Sequence, residues 1–330
     1  MDILVAPDKF KGTLTADVVA ELIAGVCRAR GHRVTTQPLA DGGDGTLAAL
    51  GGANRTSTVT GPLGDPVVAS WRWRRDVAVI EMAQASGLAL VGGAENNDAL
   101  AASTVGTGEL IDAAVGRGAR RIVVGVGGSA TTDGGWGAVQ ALHPVQRLRG
   151  VELVVACDVR TRFVDAATVF GPQKGAGEAA VALLQRRLER LVQVYLDEYG
   201  VDVSELVGAG AAGGLAGGLA AIGAELVDGF SVVADACDLD GQIESADLVI
   251  TGEGRLDPTS FDGKVVGGVA EIAADFATPV AAVVGSVDPL VEDQLPVVSL
   301  ADTVGDAAAF TDPSAGVVAA TEALLDRLDL

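Results

Sequence analysis

The lysines of this chain are few, and each lies in a segment that contains glycine. They are Lys9, Lys11, Lys174 and Lys264, while the other positive charges in the 330 residues come from arginine. A lysine ammonium is a compact charge on a flexible stem, which suits it to meet a phosphate or a carboxylate. The distribution therefore indicates a site for an anionic small molecule, with coincidental placement as the alternative.

Acidic residues with glycine neighbours follow several apolar runs. They are Asp8, Asp41, Asp44, Asp133, Asp158, Glu253 and Asp257, and Ser129, Thr131, Thr132 and Arg255 lie in the same segments. Ligands of parallel α/β sheets bind beyond the carboxyl ends of the strands. Carboxylates there can hold Mg²⁺ or accept a hydroxyl proton, and cations and backbone N–H groups can neutralise phosphate oxygens. These are the groups that phosphoryl transfer needs, although aspartate and glycine also simply form turns.

Two glycine patterns match a dinucleotide-binding fingerprint. Gly125–Ala130 fits GxGxxA after a predicted strand, and Gly208–Gly213 fits GxGxxG without a convincing strand before it. The fingerprint expects an acid about 20 residues further on at a strand end, and neither match has one. The sequence contains neither a Walker phosphate loop nor the GxSxG motif of α/β-hydrolases. His32 and His143 are not accompanied by other residues in a metal-binding pattern. A dinucleotide site is therefore the weaker alternative.

Composition narrows the class of partner. The formal net charge is −21, which argues against nucleic acid and against anionic membrane lipid as partners. The cysteines Cys27, Cys157 and Cys237 are scattered and predict no disulfide framework. No secretory leader or membrane span is predicted. We expect a cytoplasmic protein of enzyme size that acts on a small molecule.

The element pattern predicts an α/β fold. Alternating strands and helices near both ends favour parallel βαβ units. The predicted strands are 3–6, 33–39, 56–60, 67–73, 77–82, 121–126, 151–156, 248–251, 280–284 and 297–299, with 56–82 antiparallel. The predicted helices are 15–30, 46–51, 107–115, 134–142, 178–199, 263–276 and 315–328. Segment 225–236 combines residues typical of strands with residues typical of loops. We predict two α/β domains, a host at 1–58 plus 250–330 and a mixed α/β domain inserted at 59–249.

Nine segments, in order, resemble the bacterial type 1 glycerate kinase family. They are APDKFKGTLTA (6–16), PLADGGDGT (38–46), EMAQASGL (81–88), STVGTGELI (103–111), VGGSATTDGG (126–135), ACDV (156–159), FGPQKGA (170–176), GAGAAGGL (208–215) and DLVITGEGRLD (247–257). The resemblance implies a flavodoxin-like, Rossmann-like parallel-sheet domain with a second domain inserted, and a cleft between them. It also implies ATP-dependent phosphorylation of D-glycerate, commonly at the 2-hydroxyl.

The chain departs from the family pattern at identifiable places. Lys9 stands where many members have Ser, and Thr132 where many have Asn. Residues 160–163 replace an Asn-Pro-Leu turn and glycine loop, and residues 258–260 replace a Gln. The segment from Leu142 to Val151 is shorter than usual. We expect these departures to affect the acceptor pocket and any lid or dimer contact that the shortened segment makes in the family.

Resemblance and residue chemistry together lead to expected roles. Lys11, Lys174 and Arg255 are expected to contact anions, and Asp41 or Asp133 to accept the hydroxyl proton. The expected ATP-binding residues are Asp8, Lys9, Gly127, Gly128, Ser129, Gly252 and Glu253. The expected Mg²⁺ ligands are Asp158, Glu253 and Asp257, with contact to the ribose of ATP as the alternative for Glu253 and Asp257. A homodimer is left open, as are two alternatives, a kinase for another small hydroxy acid and a non-catalytic sensor of a phosphorylated metabolite.

Overall fold

The computed structural model describes residues 1–261 and 263–330. In chain order, its strands are β1 Asp2–Val5, β2 Arg33–Thr36, β3 Arg55–Thr60, β4 Pro66–Arg74, β5 Val77–Glu81, β6 Arg121–Gly125, β7 Glu152–Ala156, β8 Glu225–Val227, β9 Leu248–Leu256, β10 Val280–Val287 and β11 Val297–Ser299. Its helices are α1 Ala16–Ala29, α2 Thr46–Ala49, α3 Ala83–Ser86, α4 Val105–Gly116, α5 Trp136–Ala141, α6 Ala166–Phe170, α7 Glu178–Tyr199, α8 Leu215–Ala221, α9 Gly229–Cys237, α10 Leu239–Glu244, α11 Val265–Asp275, α12 Leu300–Val304, α13 Asp306–Thr311 and α14 Pro313–Arg327.

The described chain divides into two compact units. The first unit contains Met1–Asp41, Ala48–Leu50 and Gly229–Leu330, and the second contains Gly42–Leu47 and Gly51–Asp228. The chain thus leaves the first unit and later returns to it. The domain limits expected from the sequence, 1–58 plus 250–330 and 59–249, stay a prediction. Among the described helices, none is long and apolar enough to cross a membrane.

The first unit is built on a parallel sheet in the order β2-β1-β9-β10-β11. Read in chain order within this unit, the strands run 2-1-3-4-5, which is the flavodoxin-like arrangement. In β1, Ile3 lies opposite Val34 and Leu248. The predicted flavodoxin-like, parallel-sheet class is therefore confirmed.

Both faces of this sheet are covered by helices, as a parallel sheet requires. Ile3 and Val5 pack in one cluster with residues of α1 and α14. Leu4 packs in another cluster with residues of α9, α10 and α11. Successive side chains of a strand point to opposite faces, so the short apolar run of β1 contributes to both layers of the core.

The second unit is built on a mixed sheet in the order β3-β4-β5-β6-β7-β8. The pairs from β3 to β5 are antiparallel and those from β5 to β8 are parallel. The predicted antiparallel arrangement of 56–82 is thus confirmed. A cluster that includes Trp71, Ile80 and Leu110 packs against the sheet, while Leu188 and Tyr195 of α7 pack in a neighbouring cluster.

Two element predictions need correction. The mixed segment 225–236 is a three-residue strand followed by α9, in which Phe230, Val233 and Ala234 are buried. Their spacing is helical, but a β-like run of valines obscured it. The helix expected over 134–142 begins only at Trp136. Gly134 and Gly135 have φ values of +68° and +75°, a left-handed conformation that keeps them out of the helix.

Candidate functional site

In the first unit, charged side chains gather at the carboxyl edge of the parallel sheet. Asp8 follows β1, and its backbone N–H donates to the carbonyl of Gly252 at 2.8 Å. The next residue, Glu253, lies within the same strand, β9. The pairing of β1 with β9 therefore brings together two carboxylates that are about 245 residues apart in the sequence.

Lys9 pairs with two of the predicted acids. Its Nζ lies 3.6 Å from Asp8 Oδ1 and 3.5 Å from Asp41 Oδ1. Burial raises the pKa of Asp8 to about 6, and the charge of Asp41 adds to the rise, whereas the Lys9 ammonium opposes it. The structure thus brings the predicted Asp8, Lys9 and Asp41 together. The lysine partly neutralises a pair of carboxylates that would otherwise repel each other.

Glu253 is the most buried acid of this group, with 9% of its surface exposed. Within the described part of the chain, its Oε1 is buried without a hydrogen-bond partner. Its pKa is raised to about 7, mainly by burial and also by the charges of Asp8 and Asp257, while a hydrogen bond from Ser260 and the charge of Lys264 oppose the rise. A buried carboxylate oxygen without a partner calls for an explanation, and a bound cation is one.

Arg255 lies between two acids. Its Nε is 3.9 Å from Asp257 Oδ2 and its Nη2 is 3.8 Å from Asp288 Oδ2, and 68% of the side chain is exposed. Hydrogen bonds from Thr259 are the main cause of the lowered pKa of Asp257. Long, exposed ion pairs contribute little stability, so the guanidinium is available to an anion.

Two further predicted residues of this unit have different surroundings. Lys11 is exposed, and its backbone N lies 3.1 Å from the place where a Cβ on Gly254 would be. A Cβ on Gly252 would overlap the carbonyl oxygen of Val283 in the neighbouring strand. The close packing of β9 and β10 therefore requires glycine at position 252, and its ATP-binding role stays a prediction.

In the second unit, the segment 126–135 carries most of the predicted residues. A Cβ on Gly127 would lie 2.7 Å from Asp44 N, and one on Gly128 would lie 2.7 Å from Asp44 Oδ1. Ser129 is buried and forms a β-bridge with Gly87. The glycines expected to approach a nucleotide thus already have a protein neighbour, the loop that contains Asp44.

Asp133 is heavily hydrogen-bonded. Its Oδ2 accepts from Thr104 N and Oγ1 at 2.8 Å each, from Gly137 N at 3.2 Å and from Ser103 Oγ at 3.4 Å, and its Oδ1 accepts from Gly135 N at 3.2 Å. These donors join the starts of α4 and α5 through one carboxylate. The lone pairs of both carboxylate oxygens are thus largely occupied by protein donors.

A cavity of about 660 Å³ opens beside Asp133 within the second unit. Thr132, Trp136, Leu184 and Arg187 are among the residues that line it. Its volume lies in the range of small-molecule pockets. The Asp133 side chain is therefore accessible from this cavity, although its oxygens are already engaged.

Lys174 is 2% exposed. Its Nζ donates to the carbonyl of Thr131 at 2.7 Å, and its own carbonyl accepts from Asn97 Nδ2 at 2.8 Å. Burial lowers its pKa to about 7, and the charge of Asp133 opposes that shift. Among the described residues, the buried hydroxyls of Thr131 and Thr132 have no hydrogen-bond partner. This lysine is thus an ammonium with spare donors beside unsatisfied polar atoms.

The glycine pattern at Gly208–Gly213 is a packing surface. A Cβ on Gly213 would overlap the carbonyl oxygen of Thr131, and the Gly213 carbonyl accepts from Gly134 N at 3.0 Å. The other pattern, Gly125–Ala130, follows β6, but the next helix begins only at Trp136. The dinucleotide fingerprint places its glycines at the start of a helix, so neither pattern has the geometry of that site.

The candidate metal ligands are divided between the units. Asp158 follows β7 in the second unit, where its charge and that of Asp228 add to burial in raising the pKa of Cys157 to about 11. Glu253 and Asp257 belong to the first unit. In residues 1–261 and 263–330, no group of three or more His, Cys, Asp or Glu side chains forms a metal site by itself.

Several residues of these clusters were not predicted. Asp288, which faces Arg255, follows β10, and Glu81, which accepts from the backbone N–H groups of Gly45 and Leu47, ends β5, so their positions at strand ends were a usable signal. Asn97 and Thr104 lie in irregular segments and gave no such signal. Their roles depend on long-range hydrogen bonds, which sequence spacing does not reveal.

Comparisons with known proteins agree with one another. A model of the glycerate kinase family matches residues 3–145 and 143–324. The glycerate 2-kinase of Escherichia coli (strain K12) is 42% identical over 331 residues, which covers 87% of this chain and 85% of that protein. The glycerate kinase of Bacillus subtilis (strain 168) is 39% identical over 327 residues, with 87% and 85% covered.

A crystal structure described as a candidate glycerate kinase 2 from Salmonella typhimurium LT2 has the same fold. Its TM-score is 0.84 at 36% identity, and the match covers 100% of this chain and 98% of that one. Both the sequence and the fold therefore agree over nearly the full length. The chain belongs to the glycerate kinase family.

Proposed function

We propose that this protein transfers the γ-phosphoryl group of ATP to a hydroxyl of D-glycerate, most simply the 2-hydroxyl. Phosphoryl transfer is supported by one cluster of the first unit, formed by Asp8, Lys9, Asp41 and Glu253. In this cluster, carboxylates and an ammonium lie together at the carboxyl ends of parallel strands. Glycerate as the acceptor is supported by the relatives named glycerate kinase.

The same cluster fits Mg²⁺. The ion prefers oxygen ligands, keeps several waters and commonly takes only one or two carboxylates from the protein. Glu253 offers a buried oxygen that lacks a partner, and Asp8 lies close enough for its charge to raise the pKa of Glu253. Bound Mg²⁺ would neutralise phosphate charge. We assign Glu253 and Asp8 as its first candidate ligands, and Asp257 and Asp158 stay predicted ones.

Anion contacts are assigned to Lys11, Arg255 and Lys174. Lys11 and Arg255 are exposed, and Arg255 makes only long ion pairs. Lys174 is buried, and its ammonium donates to one carbonyl while retaining donor capacity. A phosphate or carboxylate near Lys174 would favour its charged form. Each of these cations can offset the negative charge of ATP or of the glycerate carboxylate.

Asp41 is the better candidate for the base that accepts the hydroxyl proton. As the glycerate oxygen bonds to the γ-phosphorus and ADP leaves, the proton must pass to an acceptor. Asp41 faces the ammonium of Lys9. The oxygens of Asp133, by contrast, accept from backbone and hydroxyl donors at the starts of α4 and α5. We therefore propose Asp41 as the base and a positioning role for Asp133.

Some finer predictions stay as they were. Membership of the type 1 branch is expected from the resemblance and a cytoplasmic location from the composition, while a homodimer is left open. ATP-binding roles for Gly127, Gly128 and Ser129 are also expected. A sensor of phosphorylated metabolites and a kinase for another hydroxy acid are the competing functions that an assay must separate.

The deciding experiment measures ADP release by purified protein with Mg²⁺, ATP and D-glycerate. We expect release that depends on glycerate, with a single phosphorylated product whose phosphorus NMR signal identifies the 2- or 3-position. Hydroxypyruvate and tartronate serve as competing acceptors. Thermal stabilisation by glycerate without turnover would instead favour the sensor, and faster turnover of another acceptor would reassign the substrate.

A further inference from the structure

Glu81 fastens a loop of the second unit to the end of a strand. It is the last residue of β5, and its Oε1 accepts from Gly45 N at 2.9 Å and from Leu47 N at 2.8 Å. Both donors belong to the segment 42–47, a loop that contains Asp44 and ends in the first two residues of α2. A single carboxylate oxygen thus holds two backbone groups of a loop more than 30 residues away in sequence.

The fastened loop lies against the glycine segment 125–128. Val126 N donates to the Gly42 carbonyl at 3.2 Å. Cβ atoms on Gly127 and Gly128 would lie only 2.7 Å from Asp44 N and Asp44 Oδ1. Side chains at these two positions would therefore displace the loop. The distance between the Asp44 carboxylate and the glycine backbone depends on where the loop is held.

We propose that Glu81 is a positioning residue for phosphoryl transfer. It holds the loop that contains Asp44 at a fixed distance from the backbone of the glycine segment 125–128. This inference rests on the proposed kinase function. Glu81 acts through its hydrogen bonds, because a single oxygen of its side chain receives both donors. A glutamine keeps such an oxygen at the same reach, whereas an alanine has none and an aspartate is one methylene shorter.

Burial is compatible with this role. It is the main cause of a raised pKa at Glu81, and the charge of Asp44 adds to it, whereas the N–H groups of Leu47 and Gly45 lower it. Removing the charge while keeping the acceptor should therefore be tolerated. The Gln variant tests this directly.

The experiment compares kcat and KM of the parent with those of Glu81→Ala, Glu81→Gln and Glu81→Asp. Glu109→Ala is the matched control, because Glu109 accepts from Thr60 N at 2.6 Å and from Thr60 Oγ1 at 3.0 Å in the same unit but outside these loops. We expect kcat/KM to fall by at least about tenfold in the Ala and Asp variants. The Gln variant and the control should stay within about threefold of the parent.

Amide hydrogen exchange of 43–47 and 125–129 gives a readout that does not require activity. Exchange there should accelerate in Glu81→Ala and stay as in the parent in Glu81→Gln. The proposal is overturned if Ala retains parental kcat/KM, or if Gln is as impaired as Ala, since the charge itself would then be needed. If Glu81→Ala fails to fold, the comparison of Glu81→Gln with Glu81→Asp tests the proposal. The proposal requires a higher kcat/KM for the Gln variant and is overturned by an equal or lower one. An inactive parent would sink the kinase function, while the exchange data would still test the role of Glu81.

Discussion

The Nζ of Lys174 donates to the backbone carbonyl of Thr131 at 2.7 Å, and both residues are buried. The bond ties the turn at 172–174 to the segment 126–135. Placing an ammonium out of water costs free energy unless charge or several acceptors surround it. The pKa of Lys174 is accordingly lowered to about 7. Such a cost is typical of groups that meet a charged ligand.

Replacing Lys174 with Met should change how stability depends on pH. The pKa is about 7 in the folded protein and 10.5 in a model chain. Between these values the unfolded chain binds a proton that the folded protein does not, so the parent gains stability as pH rises. Urea unfolding without ligands, at about pH 7 and about pH 9.5, should show the parent gaining on the variant.

The same variant should lose activity. Turnover should fall by at least about tenfold, equivalent to about 1.4 kcal/mol of barrier. Activity within about twofold of the parent would remove Lys174 from the anion contacts.

The stability prediction has its own contrary outcome. If the difference in unfolding free energy between the parent and Lys174→Met is the same at both pH values, the lysine keeps its ordinary pKa.

Lys9→Met should move the acid limb of the pH profile. The Lys9 ammonium opposes the rise in the pKa of Asp8, which stands at about 6. Without it, Asp8 should hold its proton to higher pH, and the acid limb of kcat/KM should shift upward if ionised Asp8 is required. Lys11→Met is the comparison, because Lys11 is not among the causes of the Asp8 shift. An acid limb that shifts equally in both variants, or in neither, would contradict this role.

Asp41→Asn and Asp133→Asn should fail in different ways. Loss of the base should lower kcat of Asp41→Asn by about 10²–10⁴-fold with little change in stability. Asp133→Asn keeps only one acceptor oxygen, so the N–H group of either Gly135 or Gly137 faces an amide NH2 instead, which should cost about 1–3 kcal/mol of unfolding free energy. Chemical denaturation and steady-state kinetics of both variants provide the test. A stable but inactive Asp133→Asn beside an active Asp41→Asn would exchange the two roles.

Gly213→Ala should be much more destabilising than Gly52→Ala. Both glycines have positive φ, +67° and +73°, so each substitution costs about 1–2 kcal/mol of backbone strain. A Cβ on Gly213 also overlaps the Thr131 carbonyl, whereas one on Gly52 meets nothing within 4 Å. The overlap should add about 1–3 kcal/mol. Equal melting temperatures for the two variants would rule out tight packing at Gly213.

Much of the fold was predictable because it depends on local patterns. The strands β1 and β10 are apolar runs that end near acids or glycines, and α7 spans the predicted 178–199 because its amphipathic spacing is long. The helix α9 was missed because its buried face is formed by residues that also favour strands. Helical packing against the sheet overrides that preference.

The sequence by itself determined which residue types were available, with lysines and acids concentrated in glycine-rich segments, and the matching segments identified the family. The tertiary structure decided how these residues are used. It paired Lys9 with Asp8 and Asp41, left an oxygen of Glu253 without a partner, and engaged Asp133 with donors from two helices. Hydrogen bonds and burial depend on atoms that are distant in sequence, and these interactions set whether a carboxylate binds a cation, accepts a proton or holds a loop.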